Sequence, residues 1–279
     1  MRLLHLSDPH LGTEQPVVLE ALLSLAHRLA PQALLISGDL TQRATPAQFA
    51  AAAGLLARLP AVPRLVIPGN HDIPLWRLWP RLRQPYAGYE QVCGLRPPGG
   101  VAQFDLPGAR VVAVDTTRWW RHRHGTLSAA QIDAVAQRLH DAPAGAWRIV
   151  MSHHPLAVAQ EADHEDRPWR HRRALQAWQQ AGAELLISGH LHVPALIRVG
   201  PRCWVAQAGS SVSRRLAPTV ANSVQLLVDE PASGPGCAPG RCCLRYDYDG
   251  VRQAFMPAAR HALRALRDPL PWRPGAWAT

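Results

Sequence analysis

The chain has 279 residues, 47% of them hydrophobic, and a formal net charge of +10 at pH 7. No apolar run reaches the roughly 20 residues that a helix needs to cross a bilayer, which argues against a membrane span. All thirty basic residues are arginine and none is lysine, a bias that fits coding composition better than function. A basic balance draws anionic substrates, but without a recognised binding fold it points only weakly to nucleic acid. Met1-Arg2 leads straight into an apolar run, leaving no room for a cleavable signal, so a cytoplasmic location is expected. Cys93, Cys203, Cys237, Cys242 and Cys243 show no zinc spacing and read as free thiols of a reducing compartment.

In chain order, the first apolar run, Leu3 to Leu6, predicts a buried strand ending at Asp8-Pro9-His10. Val18, Leu22, Leu25 and Leu29 then mark one face of a helix. A second strand, Ala33 to Ile36, ends at Gly38-Asp39, and Thr45-Pro46-Ala47-Gln48 reads as a capping box with proline at the first helical position. Leu65 to Ile67 leads into Gly69-Asn70-His71-Asp72. Arg110 to Val114 predicts a strand, and Ser128 to Gln131 caps a helix through Ile132, Val135 and Leu139. Ile149 to Met151 ends at His153-His154-Pro155, and Leu185 to Ile187 ends at Gly189-His190-Leu191-His192. More strands are expected at 203–206, 223–228 and 242–246, within a strand-rich part spanning about 203–256. A loop or hairpin tip is expected over 230–241, a basic helix over 257–267 with Leu263 and Leu266 on its apolar side, and a Pro/Trp tail to residue 279. The motifs run from residue 8 to residue 192, too widely for two independent units, so one domain over 1–279 is expected.

Each polar cluster alone has an ordinary explanation. Asp after a strand commonly caps a helix, and Gly-Asn tolerates a tight turn. Five such clusters in order, each at a strand end, are a different matter. Side chains there face the crevice in which α/β folds bind ligands. Imidazoles, carboxylates and a carboxamide suit divalent transition metals, and there are too many of them for one ion. A two-metal hydrolytic centre is the expectation.

The set Asp8-x-His10, Gly38-Asp39, Gly69-Asn70-His71-Asp72, His153 and Gly189-His190-x-His192 resembles the calcineurin-like metallophosphoesterase superfamily across about two thirds of the chain. The resemblance implies an α/β fold of four layers, an α/β/β/α sandwich with two packed sheets. It implies two divalent ions, drawn from Mn, Fe, Zn or Co, with Asp8, His10, Asp39 and His192 on one. Asp39, Asn70, His153 and His190 would hold the other, with Asp39 bridging. His153 is preferred over His154 because the family places this ligand two residues before the proline; His154 becomes a neighbour, behind the ligands or facing substrate. Asn70 supplies a neutral oxygen, so the site stays positive toward an anionic substrate. His71 would act on the leaving-group oxygen, with Asp72 orienting its ring or capping the turn.

Within the superfamily, Gly38-Asp39 lacks the following Asp-Arg-Gly of the phosphoprotein phosphatases, and His71 replaces the arginine of the lipid A pathway hydrolases. Asp8 to Gly12 matches the DNA-repair nucleases, but the residues after His192 leave little space for their capping domain. The motifs are most similar to the bacterial class III cyclic-nucleotide phosphodiesterases. The expected function is therefore a dinuclear metal-dependent phosphodiesterase acting on a small nucleotide-type diester such as a cyclic nucleotide. A metallo-nuclease acting on nucleic acid strands and a non-catalytic binding scaffold are the alternatives. Segments 74–100, 118–124 and 161–173 follow strand ends and should border the site, where Trp119 or Trp120 would stack on a base or cover the core. Arg214 and Arg215, after Gly209, would face substrate or solvent. Oligomeric state is left open by the sequence.

Overall fold

The computed structural model describes residues 1–230 and 240–263. The first half contains β1 (Arg2–Leu6), α1 (Pro16–Leu29), β2 (Ala33–Ile36), α2 (Pro46–Arg58) and β3 (Arg64–Val66), then α3 (Leu78–Arg83) and α4 (Ala87–Cys93). There follow β4 (Val101–Leu106), β5 (Ala109–Val114), α5 (Ala129–His140), β6 (Trp147–Ser152), α6 (His171–Gln180) and β7 (Leu185–Ser188). The chain continues with β8 (Ala195–Arg198), β9 (Trp204–Gln207), β10 (Ser223–Glu230), β11 (Gly240–Asp249) and β12 (Ala254–Ala262).

These strands form two six-stranded sheets, ordered β12-β11-β10-β1-β2-β3 and β4-β5-β6-β7-β9-β8. The runs β1-β2-β3 and β5-β6-β7-β9 are parallel, and the flanking strands pair antiparallel. Alternation of side chains along each strand produces the layers. Leu4 and Leu6 of β1 pack with Val18, Leu22 and Leu25 of α1, whereas Leu3 and Leu35 point the other way. In the second sheet Val112, Val114 and Val150 lie beside Ile132 and Val135 of α5 and Trp178 of α6. Between the sheets, Val111, Ala113, Ile149 and Met151 meet Leu3, Leu35 and Leu227. Three apolar cores therefore separate four layers, helix, sheet, sheet and helix.

Both expected caps are present, one of them in half. Ser128 Oγ accepts from the Gln131 amide at 3.1 Å, and Gln131 Oε1 accepts from the Ser128 amide at 3.0 Å. Thr45 Oγ1 accepts from the Gln48 amide at 3.3 Å, but Gln48 Oε1 is taken by the Arg43 amide at 2.7 Å.

The basic helix expected from Pro257 is a correction: through Ala262 the segment is strand β12, paired along β11. Pro257 sits beside the register shift between Arg245 and Tyr246, at a sheet edge where its missing N–H costs no ladder bond. The remainder of that expected helix, the Pro/Trp tail, Cys237 and most of the expected 230–241 loop lie outside the described residues. The described cysteines are free, as expected. Among the described residues no helix is long and apolar enough to cross a membrane.

Candidate metal centre

The turns after β1, β2 and β7 are held in a conformation that most residues avoid. Asp8 (φ 50°), His10 (43°), Asp39 (53°), His190 (75°) and His192 (58°) all occupy the left-handed region. Such strain gathers at functional sites, because the surrounding structure must over-determine it. Here the turns brace each other. The Asp8 amide donates to Gly38 O at 3.1 Å and the His10 amide to Asp39 O at 3.0 Å. The His71 amide donates to Asp39 Oδ1 at 2.8 Å and the His190 amide to Asp8 Oδ2 at 3.0 Å. A Cβ on Gly69 would collide with Asp39, and one on Gly189 with Ser7 Oγ and Asp8 Oδ2. Beneath the turns, buried His5 bonds Ser37 Oγ at 2.9 Å, and Ser37 Oγ donates to Ser7 Oγ at 2.7 Å.

The donors gather in two adjoining groups. In the first, Asp8, His10, Asp39 and His192 place one ligand atom each within 4.8 Å of all the others. His10 Nε2 lies 2.9 Å from His192 Nε2, 3.7 Å from Asp8 Oδ1 and 3.5 Å from Asp39 Oδ2. In the second, His153 Nε2 lies 3.0 Å from Asn70 Oδ1 and 3.4 Å from Asp39 Oδ1. The His190 ring stands 5.1 Å from that of His153. Asp39 thus turns one carboxylate oxygen toward each group.

The residues fit two divalent cations on several counts. Asp8 Oδ1 is buried without a hydrogen-bond partner. His153 Nδ1–H donates to Ser37 O at 2.8 Å, which leaves the Nε2 lone pair aimed into the site. Burial lowers the pKa of His10 to about 3, keeping the ring a neutral ligand. Burial pushes Asp39 up, but His153, His71 and His10 outweigh it and hold the carboxyl well below its usual range. Burial would lower His153 too, yet Asp39 raises it to about 9.

A family model described as calcineurin-like phosphoesterase matches residues 1–194. The chain belongs to the calcineurin-like phosphoesterase family. That family is one of hydrolases acting on phosphoesters. A Synechococcus sp. member, named a probable cyclic nucleotide phosphodiesterase, is 31% identical over 126 residues, covering 45% of this chain and 43% of that protein. The chain thus matches less than half the length of that relative. Among solved structures, a dimetal phosphatase from Danio rerio aligns with a TM-score of 0.64 at 13% identity, over 95% of this chain and 99% of its own. A purple acid phosphatase from yellow lupin (Lupinus luteus) seeds also reaches 0.64, at 14% identity, covering 92% of this chain and 52% of its own. Likenesses at these identities show a shared fold.

Two expectations for this calcineurin-like site need correction. Asp72 does not touch the ring of His71. Its carboxylate accepts from the amides of Leu40 (3.1 Å), Thr41 (2.8 Å) and Gly69 (2.9 Å) and from Thr41 Oγ1 (3.0 Å), tying the turns after β2 and β3 together. Burial and the Asp39 charge raise its pKa to about 7. The ring of His71 is oriented instead by Gln42, whose carbonyl takes the Nδ1–H at 2.8 Å. His71 Nε2 then accepts from Arg215 Nη1 at 3.0 Å, because a guanidinium can only donate. Arg215 is therefore at the site, settling whether it faces solvent.

His154 is likewise closed to a substrate. Its Nδ1 meets Thr116 Oγ1 at 2.7 Å and its Nε2 meets Arg123 O at 3.0 Å, so both ring nitrogens are engaged by protein. It packs 4.5 Å from the His190 ring, as a support behind the second group.

Three residues were missed from sequence. Asp166, buried, lies 3.5 Å from His190 Nε2 and binds Arg123 through both oxygens at 2.7 and 2.9 Å. A carboxylate on the far nitrogen of a ligand histidine is the usual orienting device. His122 comes within 5.2 Å of the His71 ring, with Nδ1 buried and unpartnered. Both come from the loops expected to border the site, but neither has a local motif. Gln42 acts through its backbone, which no side-chain pattern announces.

Proposed function

We propose that this chain is a dinuclear metal-dependent phosphodiesterase, acting on a small nucleotide-type diester such as a cyclic nucleotide. One observation carries the dinuclear reading: Asp39, buried between His10 and His153, directs a separate oxygen to each donor group. Asp8, His10 and His192 complete one site, and Asn70, His153 and His190 the other. The bound ions would supply Lewis acidity toward the phosphoryl oxygens and lower the pKa of a water nucleophile. The protein's own groups do the rest. Asn70 contributes a neutral oxygen beside His153. His71 stands over the bridging carboxylate through its amide bond to Asp39, and its ring edge meets the Arg215 guanidinium. The leaving oxygen would therefore be met by Arg215 positive charge, and His71 Nε2, which accepts from Arg215 here, could donate a proton only after that contact opens and the ring takes up a second proton from solvent.

The diester preference is supported by the cyclic nucleotide phosphodiesterase relative and by the absence of an Asp-Arg pair after Gly38-Asp39. A scaffold without activity is disfavoured because no ligand position is substituted. Free thiols at all described cysteines agree with a reducing, cytoplasmic setting. A panel with added Mn²⁺ tests the substrate class: bis(p-nitrophenyl) phosphate, a 3′,5′-cyclic nucleotide, p-nitrophenyl phosphate, single-stranded DNA and a phosphopeptide. We expect the first two to be hydrolysed fastest. Efficient phosphopeptide turnover with every diester left intact would refute the diesterase reading.

A further inference from the structure

Among the described residues, four of the large exposed apolar side chains fall within seven positions of one another. Trp76 (74% exposed), Leu78 (68%), Trp79 (65%) and Leu82 occupy one short stretch on and before α3, directly after the Gly69–Asp72 turn. Trp120 and Trp169, also exposed, come from two further loops that follow metal-bearing or neighbouring strands. The loops are joined. Tyr86, just past α3, bonds Thr117 Oγ1 at 3.0 Å, and Trp169 pairs with the 125–127 backbone through bonds of 2.9 and 3.2 Å. Single exposed apolar residues are ordinary, but two Trp and two Leu exposed within the 76–82 stretch mark an interaction surface.

The charge on that stretch selects the partner. Arg77, just before α3, and Arg81 and Arg83 within it are interleaved with these apolar residues, and no acid occurs between Ile73 and Tyr89, whereas Trp169 follows the acidic run Glu161, Asp163 and Glu165 and lies outside this basic stretch. Arg83 lies over the Trp79 ring at 4.3 Å. A second copy of this chain would bring arginines against arginines across a symmetric contact. Trp and Leu interleaved with Arg instead suit a bilayer interface, with aromatic rings at headgroup depth and guanidinium groups on anionic phosphates. We propose that the exposed segment formed by residues 74–83 docks on an anionic lipid bilayer. This goes beyond the diesterase reading and does not depend on it.

Co-sedimentation of the full chain with large unilamellar vesicles tests it without any activity measurement. Vesicles of 7:3 phosphatidylcholine to phosphatidylglycerol should pull down the protein at least tenfold better than pure phosphatidylcholine, and 0.5 M NaCl should reverse most of that gain. Trp76→Ser/Trp79→Ser should reduce binding to the anionic vesicles at least tenfold while keeping the wild-type circular dichroism spectrum and melting temperature. A more conservative Trp79→Phe should retain most of it. Equal pull-down by both vesicle types would overturn the proposal. So would unaltered binding by the double variant, or a wild-type dimer that the double variant converts to monomer while neither binds vesicles.

Discussion

Asp39→Ala should be the most damaging single change in this protein. Both of its carboxylate oxygens are committed, Oδ1 to the His153 side and Oδ2 to the His10 side, and Oδ1 also receives the His71 amide. Removing it deprives both donor groups at once and frees the turn that carries His71. Loss of a group that merely orients a ligand typically costs 10- to 100-fold, so loss of a shared ligand should exceed roughly 100-fold in phosphoester hydrolysis. Elemental analysis of the purified variant should find less than one ion per chain. Asp39→Asn keeps the shape and an oxygen for the His71 amide but not the charge, so it should fold like wild type and still bind metal poorly. If Asp39→Ala kept two ions and wild-type rates, the bridge would lie elsewhere.

His71→Ala should behave differently, retaining the metals and losing rate. Its ring nitrogens face Gln42 O and Arg215, not the donor groups. Removing a group that serves the leaving oxygen costs on the order of 100-fold or more. The loss should be small for p-nitrophenolate, which departs without help, and large for a ribose 3′-oxygen. Arg215→Ala should follow the same leaving-group dependence, since its guanidinium supplies the charge. Asp72→Asn should not: its carboxylate braces the turns, so it should depress both substrates alike. Rates on bis(p-nitrophenyl) phosphate and on a cyclic nucleotide, with metal content measured in parallel, separate these outcomes. Equal losses for His71→Ala on both substrates would place it in a structural role.

What the sequence revealed and what it hid divide along a physical line. Strands that carry the donors are short, have apolar centres and are followed at once by polar turns, so the middles of β1, β2, β6 and β7 were legible, and with them the positions of Asp8, Asp39 and the histidines at the strand ends. Groups that reach the site from across the fold leave no local trace. Asp166 sits in a mixed-charge loop, Arg215 beside an identical neighbour, and Gln42 contributes a backbone carbonyl. Of the two roles open to Asp72, orienting the His71 ring rested on adjacency in sequence alone, and it is the turn-capping role that forms. The turn at 70–72 sends the carboxylate back toward the amides of residues 40, 41 and 69, where several N–H donors compete successfully for it. Strand β12 was hidden by its composition: alanine and arginine favour helices, and only pairing with β11 overrides that preference.

We propose that two divalent ions held by these residues drive phosphodiester hydrolysis. It is tested most directly by stripping the purified protein with chelator, then titrating Mn²⁺ back while following metal content and bis(p-nitrophenyl) phosphate hydrolysis. The stripped protein should show no hydrolysis, and activity should rise to its plateau as occupancy approaches two ions per chain. Full hydrolysis by the metal-free protein, or a plateau reached at one ion, would contradict it.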